Sequence, residues 1–181
     1  IPSAGLIWTY DIGSPTYSSP AFAYGKVYVA SKDNYIYCLD GLTGSLIWRY
    51  KTGAMFRITP AVANGRVYIG LDKLYCLHAG TGKLIWSLSI NCTNSSCAVG
   101  DGLLFAADST LRIYGIDAIT GTITWRYQTN AAQQCSPVVT LDNKVYAGII
   151  GVESYLLCLD GKTGSFLWKY PMKILRDSSP A

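Results

Sequence analysis

Apolar and polar positions fall in short blocks along this chain. Runs rich in Val, Ile, Leu, Tyr and Trp, such as KVYVA at 26–30, YIYCL at 35–39 and LIWRY at 46–50, are closed off by Gly, Asn or Asp. These are the marks of short strands joined by tight hairpins, and no stretch carries the period of an amphipathic helix. KVYVA and YIYCL are apolar at nearly every position, so both of their faces must be covered, as they are when one sheet sits between two others. The prediction is an all-β chain of antiparallel meanders.

The blocks repeat. Thr-Gly-x-(Leu/Ile/Phe)-x-Trp occurs as TGSLIW, TGKLIW, TGTITW and TGSFLW, ending at Trp48, Trp86, Trp125 and Trp168. With Trp8 these are the chain's 5 tryptophans, spaced 40, 38, 39 and 43 residues apart. Each repeat opens on a start such as SSPA, ITPA, SSCA or CSPV, passes a turn (YGK, NGR, DGL, DNK) and three further strands, and ends on the Trp strand. This divides the chain into 1–13 (an outer strand only), 14–52, 53–90, 91–129, 130–171 and 172–181, the last being the start of another unit. The length differences fall in turns. The second repeat is short between Arg66 and His78, the third before Cys97, and the fourth is longer at Leu141–Asn143 and Gly151–Ser154. Four-stranded units of about forty residues, apolar on both faces, predict the radially stacked blades of a β-propeller. Four blades are complete, with partial strands at both ends, so the chain does not close a ring alone. It reads as a segment of a larger propeller, or as a subunit whose copies complete the ring.

Cys38–Trp48, CLDGLTGSLIW, resembles the tryptophan-docking motif of the pyrroloquinoline-quinone-type propeller repeats, and it recurs as CLHAGTGKLIW, GIDAITGTITW and CLDGKTGSFLW. The resemblance implies a ring of seven or eight blades. It also implies that each indole packs between the small residue at the motif's first position (Cys38, Cys76, Gly115, Cys158) and the Thr-Gly peptide of a neighbouring blade. Gly44, Gly82, Gly121 and Gly164 suit the positive φ of a bulged hairpin, and Asp40, Asp117 and Asp160 suit its backbone hydrogen bonds. His78 departs from the pattern at the Asp slot. The family holds quinoprotein dehydrogenases as well as an outer-membrane assembly lipoprotein, so membership leaves activity open.

Composition narrows the partners. The 181 residues are 50% hydrophobic and 14% charged, ample for a core, and the net charge of +4 comes from scattered Lys and Arg with no basic arm for nucleic acid. No apolar stretch is long enough to span a bilayer, and Ile1 opens no signal-peptide pattern. Of the 6 cysteines, Cys38, Cys76 and Cys158 sit at equivalent points of different blades, too far apart to pair, and read as buried thiols. Cys92 and Cys97 bracket the loop CTNSSC and are a candidate disulfide. Cys97–Cys135 is the alternative, and all three free is the third possibility. The same loop holds overlapping acceptor sequons at Asn91 and Asn94. Together these favour an extracellular, cell-surface or periplasmic setting.

Catalytic inventory is thin. The single histidine occupies a turn slot, the cysteines lack zinc spacing, and most aspartates belong to repeat turns, so no catalytic or metal residues are assigned. The resemblance would supply pyrroloquinoline quinone with calcium through adjacent cysteines and a tryptophan outside the docking set, and the chain has neither. The expectation is a non-catalytic scaffold with no cofactor, taking a protein partner or the remaining blades of its own propeller. The alternatives are a fragment of a quinone-dependent dehydrogenase and a self-assembling surface or filament subunit. Tyr17, Arg57, Asn94, Gln134 and Arg176, just before the repeat starts, vary most and form the candidate partner face at one channel mouth.

Overall fold

A computed structural model describes residues 5–53, 58–92, 95–130, 132–133 and 136–172. Four antiparallel sheets follow one another, and no helix occurs among the described residues, hence none long and apolar enough to cross a membrane. The first blade comprises β1 (Ala21–Ala23), β2 (Lys26–Ala30), β3 (Tyr35–Asp40) and β4 (Leu46–Lys51). The second comprises β5 (Ala61–Ala63), β6 (Arg66–Gly70), β7 (Leu74–His78) and β8 (Leu84–Leu88), and the third β9 (Ala98–Gly100), β10 (Leu103–Ala107), β11 (Arg112–Asp117) and β12 (Ile123–Gln128). In the fourth, β15 (Lys144–Ile150), β16 (Tyr155–Asp160) and β17 (Phe166–Pro171) are joined by a divided first strand. There β14 (Val138–Val139) and β13 (Ala132–Gln133) pair with opposite ends of the long β15.

Local chemistry explains the meander. Tyr24-Gly25, Asn64-Gly65 and Asp101-Gly102 close the first hairpins of three blades as two-residue loops with both residues at positive φ, the turn whose twist suits adjacent strands. The last two strands of each blade shift register by one residue just before the Thr-Gly turn. That bulge turns the tryptophan toward the next blade.

The core lies between sheets. One apolar layer joins the first and second blades through Tyr28, Ile36, Trp48, Val67 and Leu77, a second joins the second and third, and a third joins the third and fourth. Residues 5–13 are not a strand, contrary to the sequence expectation. Among the described residues they pair with no strand. Their side chains are nonetheless seated: Trp8, Tyr10 and Ile12 pack on Val29, Tyr37 and Leu39.

The starts of the repeats sit side by side around the axis. The Thr59 amide donates to the Ser96 hydroxyl at 3.0 Å, and the Ser96 amide donates to the Ser136 hydroxyl at 3.1 Å. A chain of hydrogen bonds thus runs from blade to blade in one direction.

Candidate functional site

The joint between consecutive blades concentrates the side chains that the repeat singles out. Trp48 stands directly opposite Cys38 in its own sheet, as Trp86 does Cys76, Trp125 does Gly115 and Trp168 does Cys158. The cysteines are fully buried there. The indole crosses to the following blade. A Cβ added to Gly82 would lie 2.6 Å from the Trp48 ring, and one added to Gly44, Gly121 or Gly164 would lie 2.6, 2.8 or 2.5 Å from Trp8, Trp86 or Trp125. Each of these glycines also has φ near +70°, so glycine is required twice over, for its backbone and for its missing side chain.

The hydrogen bonds differ from joint to joint. The Trp8 indole N–H donates to the Gly41 carbonyl at 3.1 Å, Trp48 to Ala79 at 2.9 Å and Trp125 to Gly161 at 2.8 Å. A tyrosine of the second strand converges on the same acceptor: the Tyr28 hydroxyl donates to Ala79 at 3.2 Å and Tyr68 to Ala118 at 3.0 Å. Phe105 holds this place in the third blade and has no hydroxyl, while Trp86, packed beside Tyr68, has a buried N–H with no partner among the described residues. The tyrosine contribution was missed in the sequence, although aligning KVYVA, RVYIG, LLFAA and KVYAG on the tryptophans stacks Tyr28, Tyr68, Phe105 and Tyr146 in one column. Trp168 keeps the same seat, 5.7 Å from Tyr146, but meets no further turn among the described residues and is 40% exposed against 8% for Trp48 and Trp125.

The turn that receives each indole is built on one acceptor. Asp40 Oδ1 accepts the Leu42 and Thr43 amides at 3.0 and 2.8 Å and the Thr43 hydroxyl at 3.0 Å, and Asp117 and Asp160 repeat the arrangement. The threonine amide and hydroxyl hold all three carboxyls below the usual aspartate range. In the second blade His78 Nδ1 takes the same role, accepting the Gly80 and Thr81 amides at 3.1 and 3.2 Å.

The cysteine chemistry is quiet. Burial pushes the Cys38 thiol up to about 11 and Cys76 up to about 12, and raises Cys158 as well, so all three stay protonated and unreactive. Cys92 and Cys97 are free thiols in this structure, so of the possibilities open in the sequence the Cys92–Cys97 bond is not formed here. Both are buried as apolar filler between the second and third blades. Cys92 packs so closely on Gly70 that a Cβ there would lie 2.5 Å away, and burial pushes Cys97 up to about 12. The alternative partner, Cys135, lies outside the described residues. Asn91 is exposed beside the buried Cys92. Of the candidate partner face only Tyr17 is described, half exposed with the Lys32 ammonium 4.7 Å over its ring. Arg57, Asn94, Gln134 and Arg176 lie outside the described residues.

Comparison with known proteins adds a family. The family model described as outer membrane protein assembly factor BamB matches residues 2–70 and 58–179. A tetrathionate hydrolase of Acidithiobacillus ferrooxidans is 28% identical over 102 residues, 56% of this chain and 20% of that protein. The dehydrogenase subunit of a quinone alcohol dehydrogenase of Gluconacetobacter polyoxogenes is 28% identical over 111 residues, 54% of this chain and 15% of that protein. The chain therefore spans a fifth or less of these curated relatives. Among solved structures, BamB from Moraxella catarrhalis superposes with a TM-score of 0.74 at 20% identity, over 91% of this chain and 54% of that one.

Proposed function

The chain belongs to the family of the outer membrane protein assembly factor BamB, and from that premise we propose that it is a non-catalytic binding or structural scaffold working outside the cytoplasm. One observation carries this reading: the side chains that could do chemistry are already committed to the frame. Asp40, Asp117 and Asp160 each hold turn amides on Oδ1 and His78 holds them on Nδ1, and Cys38, Cys76 and Cys158 lie buried opposite the docking tryptophans. The outward face of β17, with Trp168 40% exposed, is in this reading where the remaining blades or a partner join.

A dehydrogenase fragment stands second, favoured by the 28% identity to a quinone alcohol dehydrogenase subunit. The residues present do not fit the quinone. Trp8, Trp48, Trp86 and Trp125 are each closed on a Thr-Gly turn, Trp168 keeps the same cross-strand seat, and no two cysteines are adjacent. Calorimetric titration with pyrroloquinoline quinone and Ca²⁺, paired with a dye-reduction assay on primary alcohols, tests the choice. No saturable heat and no reduction are expected. Reproducible calcium- and quinone-dependent reduction would overturn the scaffold reading.

A further inference from the structure

The seat for Trp48 is the one docking turn built on an imidazole. His78 Nδ1 accepts two backbone amides, so the neutral ring with its proton on Nε2 is the form that fits. The same turn presents Gly82 to the Trp48 ring and the Ala79 carbonyl to its N–H. We propose that the joint between the first and second blades is an acid-sensitive lock with His78 as its trigger.

Protonation at Nδ1 converts the acceptor into a third donor facing two donors, which takes the Gly80 amide's acceptor away and leaves the Thr81 amide only the His78 carbonyl at 3.3 Å. It also places a cation directly across the sheet from Arg66, where the first and fourth blades pair Lys26 with Asp40 and Lys144 with Asp160. The surroundings offer the imidazolium little compensation. Its own hairpin contributes Arg66 on β6 and, at the entry to β8, Lys83, whose carbonyl is already taken by the His78 amide. The adjoining Asn64-Gly65 turn is uncharged. The first blade contributes Trp48, Tyr28 and the Cys38 thiol, the last two held in their neutral forms by burial. The third blade contributes Asp117, whose carboxyl is committed to the Thr120 amide and hydroxyl and is also held down by Arg66. The three aspartate turns keep their acceptor in mild acid, because the threonine amides and hydroxyls hold their carboxyls below the usual aspartate range.

The four turns are internal controls for one another. Amide hydrogen exchange, read residue by residue by NMR and corrected for intrinsic rates, is compared between about pH 7.5 and about pH 5. Gly80 is expected to lose about tenfold in protection, the equivalent of one hydrogen bond, and Thr81 less, because its amide keeps the His78 carbonyl. The amides of Leu42, Thr43, Ile119, Thr120, Lys162 and Thr163 are expected to hold theirs. In His78→Asn, whose amide oxygen accepts at every pH, the acid response should vanish. Retained protection at Gly80 and Thr81 in the wild type, equal loss in all four turns, or an acid response that survives in His78→Asn would each overturn the proposal.

Discussion

Gly65 and Gly82 make a matched pair for measuring what the interblade joint contributes. Both sit in hairpin turns of the second blade at nearly the same backbone conformation, φ +71° and +68°. A Cβ on Gly65 would meet nothing within 4 Å, whereas one on Gly82 would lie 2.6 Å from the Trp48 ring. Replacing either by alanine costs about 1 to 2 kcal/mol for holding an L-residue in the left-handed region. Lower unfolded-state entropy offsets about 0.4 to 1 kcal/mol of that. Gly65→Ala should therefore destabilise by about 1 kcal/mol. Gly82→Ala carries the same backbone terms and must also displace an indole that is 8% exposed, an overpacking cost of about 1 to 3 kcal/mol. It further strains the 2.9 Å bond to Ala79, worth about 1 kcal/mol. The difference between the two variants is then about 2 to 4 kcal/mol. Urea unfolding at constant m-value reads it directly, and adding Trp48→Ala to each variant closes a double-mutant cycle in which the excess cost of Gly82→Ala should shrink. If the two glycine variants fall within about 0.5 kcal/mol of each other, the indole is not held as described and the joint contributes little.

Two further outcomes follow from the same geometry. Tyr28→Phe and Tyr68→Phe should each cost about 1 kcal/mol in urea unfolding, because each removes a hydroxyl bonded to a carbonyl of the next blade; no cost at either would count against the assignment. Since the folded Asp40, Asp117 and Asp160 carboxyls titrate below their unfolded value, their stabilising contribution is complete above about pH 4 and is lost as pH falls through the folded values. Replacing all three by Asn should therefore flatten the acid limb of a stability profile, and an unchanged limb would refute the assignment.

What could be read in the chain was whatever depends on neighbours in sequence. The Thr-Gly turns, the positive-φ glycines and the strand blocks are local, and Trp8 to Trp168 recur often enough to betray the repeat. Bonds spanning a whole repeat were not legible. Tyr28 reaches Ala79 and Tyr68 reaches Ala118 through sheet packing, and nothing in VYV or VYI distinguishes a bonded hydroxyl from a buried ring. The Ser96 and Ser136 hydroxyls were visible only as part of the repeat starts, not as links to the preceding blade. Cys92 and Cys97 stayed open in the sequence because loop spacing suits a disulfide as well as it suits two small fillers, and their packing on the layer around Gly70 was not visible there. His78 could be placed in its turn by alignment, but its use of Nδ1 as an aspartate substitute required the geometry.

At every joint the receiving half presents main chain: a carbonyl at Gly41, Ala79, Ala118 or Gly161, and a bare glycine three residues further on. The giving half supplies the indole, and the receiving turn asks of its side chains only an acceptor at its first residue, which Asp40, His78, Asp117 and Asp160 all provide. Such a fitting is generic, like a socket cut to one standard, so any repeat can follow any other without a matched substitution on its neighbour. Duplication, loss or exchange of whole units in the gene would leave working seams behind, and the array can change its length without having to reinvent how its parts hold together.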